Sequence, residues 1–283
     1  MFRTVLALFA VVVAASVTSG SAVVAASSVI AGVVNRATGA ATAGWRQGTQ
    51  GPTTLRILTY NIHHGAGNDE VLDLERIAEL IRSLNPDLVA LQEVDNRTER
   101  TGGVAQAARL GQLTGMGSAF GKFMDYQGGE YGMAVLSRLD YEKPTNHMLP
   151  EGPEPRSSMA IRVQLPNGGE LIFAGVHFYR TAEERMAQAR RLLDVLGTEE
   201  VPVILAGDFN STPDSAVMAF IDESFEIPDK GDNHFTFRSD RPDREIDFIV
   251  YRPADRFTVV ELRVIDEPVA SDHRPVLLVL EIR

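Results

Sequence analysis

The stretch Val201–Pro213, VPVILAGDFNSTP, decides the fold class of this 283-residue chain. Its first half is a short, continuously apolar, β-branched run. That is the composition of a strand buried on both faces, and such strands belong to sheets covered on both sides. Gly207 breaks the run, and Asp208, Phe209 and Asn210 follow before the turn formers Ser211, Thr212 and Pro213. Asp208 and Asn210, two apart on a strand end, share a face. A carboxylate and a carboxamide delivered together from an apolar layer cost free energy unless something satisfies them. A hard divalent cation or a phosphate meets that need, and so does an Asx turn capping the strand; the stretch alone leaves both open.

Outward from this stretch the arrangement recurs. Asn61 ends the apolar run of LTYNIHHG, Glu93 that of LVALQEVD and His177 that of IFAGVHFYR; Asp247 interrupts EIDFIV, and SDHRPV carries Asp272 and His273. Each polar residue follows or interrupts a buried-strand pattern, so the segments are expected to converge on one rim. Read singly, Glu93 is a solvated strand end and Asp247 a solvent-facing residue of an alternating strand. Amphipathic helices are expected within 73–84, 102–114, 181–196 and 215–221, with Asp73 as an N-cap. Strands are expected at 55–62, 88–91, 133–136, 159–163 and 170–177, with three more after the 225–241 loop. The loops 116–131, 145–158 and 225–241 are where substrate specificity is expected to sit.

Hydrophobic residues make up 44% of the chain, enough for one large domain or two small ones. The absence of cysteine excludes a disulfide framework and a thiolate zinc site. A net charge of -11 argues against purely electrostatic binding of nucleic acid, although a bound metal ion would add positive charge that this count omits. Residues 1–26 read as a secretory signal peptide: Arg3, the apolar run Val5–Ala15, then small residues to Ala25 and Ala26. Export to the periplasm or medium follows. The competing reading is an uncleaved membrane anchor, because apolar residues continue to Val34; Ser16, Thr18, Ser19, Gly20 and Ser21 interrupt them well short of the roughly 20 strongly apolar positions a span needs. Residues 27–53, rich in Ala, Gly, Thr and Ser, read as a flexible linker to a domain at 54–283.

Glu93, Asp208 and Asp272, supported by Asn61 and Asn210, form an oxygen donor set that suits Mg2+, Mn2+ or Ca2+. His177 and His273 beside such a cation make better sense as proton carriers than as ligands. Without a nucleophilic Cys or a Ser elbow, the set points to metal-assisted attack by water on phosphorus. Beside a catalytic histidine, Asp247 would hold the imidazole tautomer. Arg156, in EPRSSM, is in position to meet an anion, although a surface arginine is the commoner outcome.

The ordered set NIHHG, LQEVD, YGMAVLSR, VHFYR, GDFNSTP, IDFIV and SDHRPV resembles the endonuclease/exonuclease/phosphatase superfamily over about Thr54–Arg283. The resemblance implies an α/β (α+β) fold, a four-layer α/β/β/α sandwich with two packed β-sheets. It implies Glu93 as principal metal ligand with Asn61 and Asp272 assisting, and Mg2+ as cofactor. Asp208 and Asn210 then orient the attacking water and a phosphate oxygen, and His273, held by Asp247, is general base or transition-state donor. His177 resembles the second histidine of deoxyribonucleases and sphingomyelinases, with Glu130 as its carboxylate partner, and Arg156 and His63 are phosphate contacts. Two departures stand out: Met133 replaces an Asn usual in small bacterial members, and Phe178 and Tyr179 reshape the surroundings of His177. The expected substrate is a phosphate ester, whether a phospholipid headgroup, a nucleic acid or a small phosphodiester, acted on by a monomer with no obligate protein partner. The alternatives are a secreted nuclease on DNA or RNA and a catalytically inactive binding protein on the same fold.

Overall fold

The computed structural model describes residues 53–150 and 152–283; the expected signal peptide at 1–26 and the expected linker, up to residue 52, lie outside the described residues. In chain order the elements are β1 (Thr53–Asn61), α1 (Leu74–Leu84), β2 (Leu88–Asn96), α2 (Gln106–Thr114), β3 (Gly117–Tyr126), β4 (Gly129–Ser137), β5 (Tyr141–Met148), β6 (Ser157–Gln164), β7 (Glu170–His177), α3 (Ala182–Leu196), β8 (Val203–Asp208), α4 (Ala216–Asp222), β9 (Asp247–Arg252), β10 (Phe257–Val264) and β11 (Val276–Ile282). The strands form two sheets, ordered β10-β11-β1-β2-β4-β3 and β5-β6-β7-β8-β9.

The deciding strand, β8, is buried at every residue. Val203 and Leu205 pack with Leu192 of α3 and Met218 of α4, whereas Ile204 and Ala206 pack with Ile57, Val135 and Phe173 between the sheets. On the far side, Ile77 and Ile81 of α1 and Leu110 of α2 cover Leu58, Leu91 and Ala134. The result is the expected four-layer α/β/β/α sandwich, each sheet shielded by a pair of helices. Helix starts follow local chemistry: the side chains of Asp73, Thr181 and Ser215 accept from the backbone N–H of Arg76, Glu184 and Met218. Met133 lies fully buried between the sheets, and a Cβ added to Gly175 would stand 2.2 Å from its Cε. The exchange of an Asn for Met133 thus fills the core at a point where the sheets approach closely.

Two strands fall where loops were expected. β3 and β5 overlap the 116–131 and 145–158 stretches, and both are edge strands with largely exposed or half-buried side chains. Paired on one side only and half in water, neither carries the apolar run that reveals a buried strand. β2 also runs on through Asn96 rather than stopping at Leu91, because its pairing with β4 slips between Leu91 and Val94. That bulge contains Glu93, held at φ 57 in the left-handed region.

Register brings the functional side chains to one rim. His177 of β7 lies opposite Asp208 of the parallel β8, and Asp247, the first residue of β9, lies opposite Asp208 on its other side. In the facing sheet, Asn61 ends β1 opposite Gln92 of the parallel β2.

Candidate active site

Asp208 stands at the centre of the site. Its Oδ2 lies 3.3 Å from Asn61 Nδ2, 3.4 Å from His177 Nε2 and 3.7 Å from His273 Nε2, while Oδ1 accepts the backbone N–H of Asn210 at 2.7 Å. The Asx turn and the functional centre, competing readings of this stretch in the sequence, are therefore served by opposite oxygens of one carboxylate. Asn210 sits at φ 48, beyond the strand, where its Nδ2 donates to the Phe178 carbonyl at 2.9 Å.

His273 comes from the loop before β11. Its Nδ1 donates to Asp247 Oδ2 at 2.9 Å, and both side chains are buried. Thr236 Oγ1 accepts the backbone N–H groups of Ile246 and Asp247, each at 3.2 Å, and so anchors the start of β9. Ser271 Oγ donates to the Asn61 carbonyl at 2.7 Å, tying the His273 loop to the opposite sheet. The Phe237 ring packs on the His273 imidazole, 4.8 Å between centroids.

These groups open onto a cavity of about 420 Å³ lined by Glu93, Tyr131, Glu154, Arg156, His177, Arg180, Asp208, Asn210, Phe237, Arg244, Ile246, Asp272 and His273. Arg156 is buried in its wall, paired with Glu154 and flanked by the rings of Phe123 at 5.1 Å and Tyr179 at 5.6 Å. Burial and the nearby Asp247 and Glu93 carboxylates raise Asp208 to about 7. Burial alone would depress His273, but Asp247, Asp208 and Asp272 outweigh it and hold the imidazole at about 10. His177 goes the other way: burial, then the positive charges of Arg156, His273 and Arg180, keep it well below the ordinary histidine value. One charged and one neutral imidazole thus flank the same carboxylate.

The structure brings Glu93, Arg156, His177, Asp208, Asn210, Asp272 and His273 to one cavity, with Asp247 directly behind His273. Three expectations are corrected. Glu130 does not partner His177: its carboxylate accepts from Asn96 Nδ2 at 2.7 Å and pairs with Lys122 at 3.2 Å, and His177 Nδ1 is buried without a hydrogen-bond partner. His63 does not line the cavity, because the chain turns away into a short helix at His63–Gly65 where its Nδ1 meets the Ala66 carbonyl at 3.2 Å. Asn61 is set to donate rather than to ligate a metal through its oxygen. Its Oδ1 accepts the His63 backbone N–H at 3.1 Å, and its Nδ2 bonds Glu93 Oε1 at 3.1 Å.

Arg180, Arg244, Phe237 and Tyr131 were missed in the sequence. Arg180 had a signal, three residues past His177 at a strand end; Arg244 and Phe237 reach the cavity from an irregular loop with no pattern to mark them.

Residues 58–273 match the family model described as the Endonuclease/Exonuclease/phosphatase family. The chain belongs to this family. The family description names endonucleases, exonucleases and phosphatases, the class of activity that the sequence resemblance implies. Among curated proteins it is similar to the UPF0294 protein of Vibrio cholerae serotype O1, 33% identical over 135 residues. The match covers 44% of this chain and 44% of that relative, so the chain spans less than half the length of the curated protein it matches. Among solved structures it is similar to an endonuclease/exonuclease/phosphatase protein of Beutenbergia cavernae at 25% identity and TM-score 0.69, over 81% of this chain and 72% of that one. It also shares the fold of ANGEL2, a 2',3'-cyclic phosphatase, at 14% identity and TM-score 0.67, over 83% of this chain and 97% of that one.

Members of the family generally depend on a divalent metal, and the donor set here fits one. Glu93 and Asp272 both face the cavity, and among the described residues neither is in a salt bridge. Two carboxylates that line one cavity without a cationic partner suit a hard cation. Among the described residues, no helix is long and apolar enough to cross a membrane.

Proposed function

We propose that this protein is an exported, Mg2+-dependent, monomeric hydrolase that cleaves a phosphodiester by attack of water. The observation that carries the reading is Asp208 Oδ2, placed between Asn61, His177 and His273 on the floor of a cavity with a buried arginine in its wall. A divalent cation held by Glu93 and Asp272 supplies Lewis-acid stabilisation of phosphoryl charge when bound. Asp208, raised toward neutrality, is suited to take the proton of the attacking water. His273, kept cationic by Asp247, donates to a phosphoryl oxygen as negative charge builds there. Arg156, Arg180 and Arg244 offset the charge of the phosphate from the walls. Neutral His177, on the other flank of Asp208, has no proton to spare for a leaving oxygen; its Nε2, 3.4 Å from Asp208 Oδ2, is placed to hydrogen-bond that carboxylate, and the leaving oxygen takes its proton from solvent.

The test is a panel in Mg2+ of bis-p-nitrophenyl phosphate, p-nitrophenyl phosphate, sphingomyelin, phosphoinositides, duplex DNA and RNA. Diester turnover above monoester turnover supports the proposal; monoester preference sinks the diester reading, and no turnover of any substrate leaves the inactive-binder reading in its place. Cleavage of DNA or RNA ahead of the others would favour the nuclease alternative, whose one supporting observation is the second histidine within 3.4 Å of Asp208. Export is tested by N-terminal sequencing. A mature protein from periplasm or medium starting near Ser27 is expected, and an intact Met1 in the membrane fraction would favour the anchor.

A further inference from the structure

The short helix His63–Gly65 carries two adjacent imidazoles that the phosphoesterase chemistry does not use. We propose that His63, His64 and Glu93 form a second metal site, one that takes a borderline transition-metal cation such as Zn2+ or Co2+ rather than Mg2+. The site shares Glu93 with the reaction cavity. It is read from its own donors, so it stands whether or not the chain hydrolyses a phosphodiester.

The ligand atoms of the three residues all lie within 4.8 Å of one another. Tetrahedral bonds of about 2.0–2.1 Å place donors roughly 3.4 Å apart, so closure takes movements on the order of an ångström. His63 is already oriented. Its Nδ1 lies 3.2 Å from the Ala66 carbonyl, which fixes the proton on that nitrogen and leaves Nε2 with its lone pair free for a metal. His64 has a buried Nδ1 with no hydrogen-bond partner, an orphaned polar atom that a metal would satisfy. Arg100, whose charge reaches His64, is paired elsewhere: it makes two contacts of 2.7 Å to the Asp95 carboxylate.

The backbone holds the donors in place. Gln106 Nε2 donates to the His64 carbonyl at 2.7 Å, and the Ile62 N–H donates to the Gln92 carbonyl at 3.1 Å, so the histidine turn is pinned to α2 and β2. His63 and His64, each at φ 46, and Glu93 at φ 57 all occupy the left-handed region that non-glycine residues avoid. Two imidazoles and one carboxylate favour Zn2+, Co2+ or Fe2+ over a hard cation, and three protein ligands leave a position open. All three side chains are half-buried, so an ion can enter from solvent.

The experiment titrates Co2+ into the chelator-stripped protein without Mg2+, which would compete for the shared Glu93. One equivalent should produce the visible ligand-field band of low-coordinate Co2+ and paramagnetically shift the ring protons of His63 and His64 in the wild-type NMR spectrum. The double variant His63→Gln/His64→Gln should lose the band and bind Co2+ more than about 100-fold more weakly, beyond the cost of losing an outer-shell partner. No band in the wild type, wild-type affinity in the double variant, or shifts at His177 and His273 in place of His63 and His64 would each overturn the site. The NMR assignment on the wild type decides the matter should the variant fail to fold.

Discussion

His273 Nδ1 and Asp247 Oδ2 lie 2.9 Å apart, both buried, although they come from different elements. Asp272, the immediate sequence neighbour of His273, faces the cavity instead. If Asp247 acts by holding and charging this ring, Asp247→Asn and His273→Ala should each lower kcat/KM by about 10²–10⁴-fold. The double variant should lose little more than the worse single change, because residues acting as a unit are non-additive. Fully additive losses in free energy would separate the pair.

Among the described residues, the Glu93 side chain makes no hydrogen bond beyond the one to the Asn61 amide, 3.1 Å away. Glu93→Gln should therefore cut turnover by orders of magnitude while leaving the thermal midpoint within a few degrees. EDTA should abolish hydrolysis, and added Mg2+ should restore it. Activity that survives exhaustive chelation would undo the metal mechanism.

The two site histidines should titrate in opposite directions. The folded value of His273, about 10, exceeds the unfolded value near 6.5, so its stabilisation is complete below that unfolded value and is lost as pH rises toward 10. His177, depressed by burial and by Arg156, His273 and Arg180, gives the reverse, and stability falls as pH drops through the unfolded value. In metal-free protein, NMR should show His273 protonated at about pH 8 and His177 neutral at about pH 6. Exchanged assignments would contradict the electrostatic account.

Thr236 tests positioning. Thr236→Val keeps the shape but strips the acceptor from the Ile246 and Asp247 amides, each 3.2 Å away, at a cost of roughly 1–3 kcal/mol. A loosened Asp247 should lower kcat with KM nearly unchanged, and Thr236→Ser should restore much of it. A variant that loses stability alone would assign Thr236 to the scaffold.

Met133, fully buried against Gly175, offers a stability prediction free of the chemistry. Met133→Ala should cost about 2–5 kcal/mol by leaving a cavity between the sheets. Met133→Asn should cost a comparable amount, since no polar partner is provided for a carboxamide there. Chemical denaturation of either variant within 1 kcal/mol of wild type would mean that the sheets close up over the gap.

The sequence by itself determined the layers and the polar tips. Val203–Asp208 fits a strand buried on both faces, because its short β-branched apolar run leaves no polar side for solvent, and the residues that end such runs emerge at a rim. Asn61, His177 and Asp208 were legible for that reason, whereas Glu93, Asp247 and His273 became legible only through the ordered set of motifs that carries the family resemblance. The edge strands β3 and β5 were not, since a strand that is half in water needs no apolar signature.

Tertiary structure alone decided the partners. Glu130 belongs to Asn96 and Lys122, not to His177, and Asn61 presents its nitrogen, not its oxygen, to the carboxylates. Which way an amide turns, and which of several carboxylates a buried histidine meets, depends on contacts between residues far apart in the chain. Asn61 and Asp208, 147 positions apart, are one such pair. The bulge that gives Glu93 its left-handed backbone is likewise a property of the pairing of β2 with β4, and local sequence carries no record of it.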